Sequence, residues 1–345
     1  MLGDGGSGHA VRFHDVNGTT VAELACNDVR NITWSRELSE VSRVEVTGGT
    51  AAAPQIPEDV HEWVHHASVF RDGEFVWSGV AQVVDFDDDE WRVTVRDPGT
   101  YQWRTRTPIT RIWSDTDPVR IAGELWEAMF GLHGLAQADP HLYFSTVTYD
   151  FSATRDRRMM HQVTEDLVRL GIDWTVHAGR PVIMPATQVP ELTAPTGFAD
   201  CDFAERLRVR RDGTRLFTDV MVKGQNFAAN ATQELGGLRL QDIVAMDDLF
   251  GQANVRRAAT QLVARRAAPR LEVHVPAGAT LSPDAQVTIN ELMPGVVFPV
   301  HTSLGGGISA YRRLEKVEVT QDANGERVAV TLGEVPDQPD EAVFG

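Results

Sequence analysis

Residues 60–106 read VHEWVHHASVFRDGEFVWSGVAQVVDFDDDEWRVTVRDPGTYQWRTR, and the period of this stretch decides the fold class. Phe75, Trp77, Gly79, Ala81 and Val83 alternate with Val76, Ser78, Val80, Gln82 and Val84. Trp91, Val93 and Val95 then alternate with Arg92, Thr94 and Arg96. A two-residue period belongs to a strand with one face buried. Arg71-Asp72-Gly73 supplies one turn and Asp87-Asp88-Asp89-Glu90 the next. The block therefore predicts three strands folded back on one another.

The same block contains His61-Glu62-Trp63-Val64-His65, which matches the H-E-x-x-H pattern of zinc peptidases. On a helix, positions four apart share a face, so both imidazoles reach one metal and the Glu activates water. On a strand the two histidines stand about 13 Å apart, at roughly 3.3 Å per residue, and cannot share an ion. Pro57-Glu58-Asp59 could open a helix, with Val60, Trp63, Val64 and Ala67 as its stripe. Against this, no third ligand is in a recognisable context, and His66 with Ser68-Val69-Phe70 favours extended chain. The expectation is an extended segment that binds no stoichiometric zinc.

Outward from this block, Arg12-Phe13-His14-Asp15 runs into Asn17-Gly18, a hairpin signal. Ile32 and Trp34 precede Val41, Val44, Val46 and the Gly48-Gly49 break. After Pro108 the period changes. Asp117 is a candidate N-cap with Pro118 at the first helical position, and Ile121, Ala122, Leu125, Trp126 and Met129 form one face up to Gly131. A second helix is predicted from about Arg155 to Leu170, ended by Gly171. Ile172, Trp174 and Val176 then turn through Ala178-Gly179 into Val182, Ile183 and Met184. These Met and aromatic stripes read as packing surface and imply no cofactor.

The stretch from Pro185 to Gly197, rich in Pro and Thr, reads as a linker. Beyond it Leu207, Val209 and Arg211-Asp212-Gly213, followed by 216–224, echo the earlier turn and aromatic strand, which suggests a duplication. A helix from about Leu249 to Arg266 follows, ended by Pro269. Strands resume at Val287, Ile289 and Val296-Val297-Phe298. Leu314, Val317 and Val319 turn at Asn324-Gly325 into Val328, Val330 and Leu332.

With 345 residues, the chain has room for two or three domains. Its 42% hydrophobic and 23% charged content is that of a soluble globular protein, and no apolar run approaches the roughly 20 residues of a membrane helix. The N-terminus has neither region of a signal peptide and no phosphate-loop signature. A formal charge of −17 disfavours a surface that neutralises phosphates. Cys26 and Cys201 have no companion ligands, so neither a disulfide framework nor a cysteine metal site is indicated, and folding in a reducing cytoplasm is the plain reading. Lysine occurs only at Lys223 and Lys316.

Three further constellations invite a functional reading. Asp85, Asp87 and Asp89 have calcium-loop spacing, but Glu90 stands where a turn glycine is needed and Arg96 where a bidentate Glu is needed. A solvated hairpin tip is the better reading. Ser303-Leu304-Gly305-Gly306-Gly307 reads as a loop between strands. Trp91 and Trp103 could serve a carbohydrate- or receptor-binding module if exposed, although strand-face tryptophans are more often core. No nucleophile elbow and no Cys-His pair close in sequence occurs, so no catalytic, cofactor-binding or metal-binding residue is assigned.

The three-strand block resembles the first barrel of phage tail hub proteins, where Arg-Asp-Gly, a strand ending near Trp-Ser-Gly and a strand running into Arg-Asp follow one another. Trp113-Ser114-Asp115-Thr116-Asp117-Pro118-Val119, Asp166-Leu167-Val168 through Thr175-Val176, and the terminal hairpin ending Val328-Ala329-Val330-Thr331-Leu332 resemble minor tail proteins of siphophages infecting actinobacteria. The order of these stretches carries the resemblance, since no single motif is diagnostic. It implies a mainly β structural virion protein with an α+β portion, a tail-tip hub and not an enzyme, made in the host cytoplasm. The expected domains are a flexible leader (1–8), a first β-barrel (9–108), an α+β domain (109–197), a second β-barrel (198–335) with a helical insertion at about 249–267, and a loose tail (336–345). The implied partners are two further copies in a homotrimeric ring, the distal tail protein, the tape-measure protein and receptor-binding proteins. DNA would pass through without specific binding.

Overall fold

The computed structural model describes residues 8–335 apart from 26–27, 51–52, 54–55, 136–138, 188, 205–207, 215, 268–269, 275–279, 283 and 304–307. The predicted leader (but for Gly8), the tail, Cys26, Leu207, Pro269 and the Leu304–Gly307 part of the glycine loop lie outside the described residues. Among the described residues no helix is long and apolar enough to cross a membrane.

The architecture is mainly β with four helices. The chain begins with β1 (His9–His14), β2 (Thr20–Leu24), β3 (Val29–Glu37), β4 (Arg43–Gly49), a single-turn α1 (Ile56–Asp59), β5 (His66–Arg71), β6 (Glu74–Phe86) and β7 (Glu90–Arg96). A 3-10 turn at Pro98–Trp103 leads into β8 (Arg111–Thr116), α2 (Pro118–Leu132), β9 (His141–Leu142), β10 (Tyr149–Ala153), α3 (Met160–Leu170), β11 (Ile172–His177) and β12 (Arg180–Pro185). Then come β13 (Phe198–Ala199), β14 (Arg208–Asp212), β15 (Asp219–Lys223), β16 (Ala228–Thr232), β17 (Gln241–Ala245), α4 (Gln252–Arg266), β18 (Arg270–His274), β19 (Val297–Thr302), β20 (Ile308–Asp322) and β21 (Gly325–Glu334).

Thirteen strands form one sheet along the path β14-β18-β21-β20-β3-β4-β7-β6-β5-β1-β2, with β19 on β20 and β13 on β19. The two ends of the sequence are thus joined in one ladder, where β20 pairs β3 antiparallel with Val319 opposite Trp34 and Val317 opposite Arg36. From β3 the strip curls until β1 comes back to β3. Trp34 Nε1 donates to His9 Nε2 at 3.1 Å, and Arg71 grips Glu326 through two bonds of 2.8 Å. The curl encloses a core in which Trp34, Trp77, Trp91, Val93 and Val95 are buried beside Phe298, Val317 and Val319.

The period-two reading holds best in β7, where burial alternates along the strand. In β6 it breaks down. Val76, Trp77, Val80 and Ala81 are all buried, because Trp77 and Ala81 face the sheet core while Val80 faces a second core. A bulge between Ala81 and Val83 shifts the register midway. A side chain at Gly79 of β6 would run into the Arg96 carbonyl of β7.

The second core is built by α2, α3 and α4 with β8, β10, β11, β15 and β17. Asp117 caps α2 as expected, its carboxylate accepting from Val119 N at 2.8 Å with Pro118 behind it, but the helix runs past Gly131 to Leu132. α3 begins at Met160, not near Arg155, because Arg155–Arg158 forms turns that cross Thr105 and Thr107. Gly171 ends it in the left-handed region at φ 115°. The linker reading of 185–197 needs correction too: Leu192 and Ala194 are buried, and Ala194 N bonds Val297 O.

The predicted echo does not carry into topology. Arg71-Asp72-Gly73 joins β5 to β6 through two left-handed residues, Asp72 at φ 52° and Gly73 at φ 83°. After Gly213, by contrast, the chain leaves the large sheet. It builds a separate sheet, β16-β15-β17, and places α4 against one face of it. The helical insertion therefore carries three strands as well, and Val220, Val222, Val244, Val255 and Leu262 join the second core.

Candidate functional site

His61-Glu62-Trp63-Val64-His65 is neither helix nor strand. α1 stops at Asp59, and the next residues form a tight turn closed by His65 N donating to His61 O at 3.1 Å. Trp63 sits in the left-handed region at φ 62° and donates its amide to Ala81 O at 2.8 Å. The extended segment expected from sequence is replaced by this turn because β6 supplies both the acceptor for Trp63 and the donor for His65. The stripe expected of a helix is also absent, since Trp63 and Val64 are exposed.

The turn stacks the His61 and His65 rings 5.5 Å apart. His65 Nδ1 is occupied, accepting from the His61 backbone N–H at 2.9 Å. Among the described residues no group of three His, Cys, Asp or Glu could hold a metal ion. A zinc peptidase needs both imidazoles free to face one ion, and this geometry turns one of them inward. Metal analysis of the purified chain is expected to find no stoichiometric zinc, and one tightly held zinc lost on His65→Ala would reverse this reading.

The acidic run lies at the tip joining β6 to β7. Asp87 Oδ1 accepts from Asp89 N at 2.9 Å and Glu90 N at 2.8 Å, and these backbone bonds lower its carboxyl below the usual range. The carboxylate therefore serves the turn, as the hairpin-tip reading expected. Trp91 is fully buried and Trp103 stacks on His161 at 5.4 Å, so the two do not form a shared ligand platform. Cys201 is exposed with a free thiol.

Sequence reasoning missed buried charged residues that tie distant segments together. Arg36 is wholly buried on Trp34. It donates to Val76 O at 2.7 Å, Ile289 O at 3.0 Å and Leu292 O at 3.2 Å, and burial pulls its guanidinium down to about 9. Arg313 on β20 donates to Asp173 Oδ2 at 2.6 Å, Ala186 O at 2.7 Å, Pro185 O at 3.2 Å and Gly295 O at 3.3 Å. Asp97, also buried, accepts from Ser42 N at 2.6 Å and Gly99 N at 2.7 Å. Burial pushes its carboxyl up to about 7 against the pull of those donors. A signal for Arg36 was present: Ile32, Trp34 and Arg36 share one parity on a strand, so the arginine had to enter the core.

These groups all perform structural work, and none leaves a nucleophile beside a base in a cleft. No family model matches the chain, and no curated protein matches it. Solved structures do. The tail protein from Neisseria meningitidis is 14% identical at a TM-score of 0.66, covering 95% of this chain and 97% of that one. The 43 kDa tail protein of prophage MuSo2 from Shewanella oneidensis is 14% identical at 0.61, over 95% and 97%. A prophage tail protein from Listeria monocytogenes is 12% identical at 0.57, over 96% and 95%. The match runs end to end on both sides, through sheet, helical region and insertion alike, and the chain therefore has the fold of these tail proteins.

Proposed function

We propose that the chain is a structural protein of a phage tail, the hub of the tail tip, in the siphophage family that the sequence resembles. The observation that carries this reading is the end-to-end match to three tail proteins, each matched over 95% or more of its own length. The proposed domains are those read from sequence: β-barrels at 9–108 and 198–335, an α+β domain at 109–197, a leader at 1–8 and a tail at 336–345. The curl that brings His9 to Trp34 supports the first barrel. The second rests on the strands around β20, with the insertion packed into the helical region.

In the tip, three copies close a ring that meets the sixfold tube. Closed cyclic symmetry leaves no interface open. The ring joins the distal tail protein and tape-measure protein on one side to receptor-binding proteins on the other. With 49 acidic against 32 basic residues, its lumen is proposed to be net negative, repelling phosphates within about 8 Å at physiological salt so that DNA slides through. Imaging of the assembled particle is expected to show three copies around a central channel, and the free chain should retain no DNA at moderate salt. One or six copies in the tip, an arginine-lined lumen or measurable DNA retention would overturn the corresponding part.

A further inference from the structure

Residues 60–65 form a device of a different kind. Four histidines meet there: His14 at the end of β1, His66 opposite it at the start of β5, and His61 and His65 in the turn. The His14 and His66 rings stack at 5.9 Å, as do those of His61 and His65 at 5.5 Å. The other charged or titratable groups facing the turn are Asp15 after β1, Asp59 at the end of α1, Tyr101 of the 3-10 turn and Arg104 beyond it. The Arg104 guanidinium lies 5.4 Å from the Trp63 ring.

The bonds differ in what a proton does to them. His14 Nδ1 donates to Asp15 O at 2.8 Å, while its Nε2 meets the Ser68 hydroxyl at 2.9 Å. That hydroxyl can serve either protonation state. His65 has no such freedom. Its Nδ1 lone pair accepts the His61 N–H, so a proton arriving at Nδ1 sets two N–H groups against each other and breaks the bond that closes the turn. His66 is similarly placed. Its Nε2 meets the Tyr101 hydroxyl at 3.2 Å and its buried Nδ1 has no hydrogen-bond partner, so protonation would bury a donor with nothing to accept it. The closed turn also holds Trp63 in a left-handed conformation, strained for a non-glycine residue, and opening releases that strain.

We propose that the Val60–His65 turn is an acid-released latch, closed by neutral His65 and opened by its protonation, which frees Trp63 from the Tyr101 ring 5.9 Å away. Burial first, then the charges of His61 and His14, hold the His65 imidazole below its ordinary value, while Asp15 and Asp59 pull the other way. Burial likewise pushes His66 down to about 4. A lowered folded-state value means that the closed turn is fully favoured above the ordinary imidazole range near 6.5. That advantage is lost as pH falls through the folded values.

Amide hydrogen exchange of the full chain, corrected for the intrinsic effect of pH, tests this. Between pH 7.5 and pH 5.0 the amides of 61–65 and of Ala81, which donates to His65 O at 2.9 Å, should exchange about tenfold faster while α2 stays protected. His65→Asn places an oxygen acceptor that cannot be protonated where Nδ1 stands, so its exchange should stay flat across this range. His61→Gln keeps the backbone donor and removes the neighbouring ring charge, so its opening midpoint should move to higher pH. A flat wild-type profile, an equal rise in His65→Asn, or an unmoved midpoint in His61→Gln would each overturn the proposal. Protection of α2 at pH 7.5 shows that each variant is folded.

Discussion

Arg36→Met is expected to cost the chain about 3 kcal/mol or more, read as a lower urea midpoint at unchanged slope. The argument starts from three carbonyls. Val76 O lies on β6, and Ile289 O and Leu292 O lie on the segment before β19, so one guanidinium on β3 ties β6 to carbonyls 253 and 256 residues further along the chain from Arg36. Methionine fills most of the stem volume but donates nothing, and each buried carbonyl left without a donor costs about 1–3 kcal/mol. Relief from burying a cation opposes this loss, and the fully buried guanidinium shows how strongly burial acts on it. Three simultaneous bonds outweigh that relief. Arg36→Lys should fall between the two, because an ammonium cannot span acceptors that a planar fork reaches together. An unchanged midpoint for Arg36→Met would show that burying the charge costs as much as the bonds return.

That arginine also shows what was and was not legible in the sequence. Local signals worked where the chain decides its own conformation: Asp117-Pro118 at the start of α2, Ala178-Gly179 between β11 and β12, and Asn324-Gly325 between β20 and β21. They failed where a distant partner decides. The amide of Trp63 and the carbonyl of His65 find their partners at Ala81, so the bonds that dock the turn on β6 lie outside residues 57–67. β6 looked half-buried because alternation alone cannot reveal a second core on its other face. Arg211-Asp212-Gly213 repeats the letters of a hairpin, but its flanking strands pair with β18 and with β16 and β17. Of the candidate sites, the acidic tip was readable because its Asp87 bonds are local. The inward-turned His65 was not.

Arg313→Met is expected to cost about 3–5 kcal/mol and to loosen the sheet core from the helical region before either unfolds. Arg313 bonds the β20 side of the large sheet to Asp173 on β11 and to both Pro185 O and Ala186 O where β12 ends. Its loss takes from Asp173 its ion-pair partner, leaving the Ser39 hydroxyl at 2.9 Å on its other oxygen and only the more distant pull of Arg265. The sign of the coupling makes the test specific. In the native background Asp173→Asn should destabilise, because it weakens a charge-assisted bond. In the Arg313→Met background the same change should restore part of the loss, since it removes a half-buried carboxylate that has lost its bonded counter-charge. Simple additivity of the two substitutions would refute a shared ion pair. Exchange should rise first at Ala186 and Ala194, whose amides bond Gly171 O and Val297 O, because this strap crosses between the two cores.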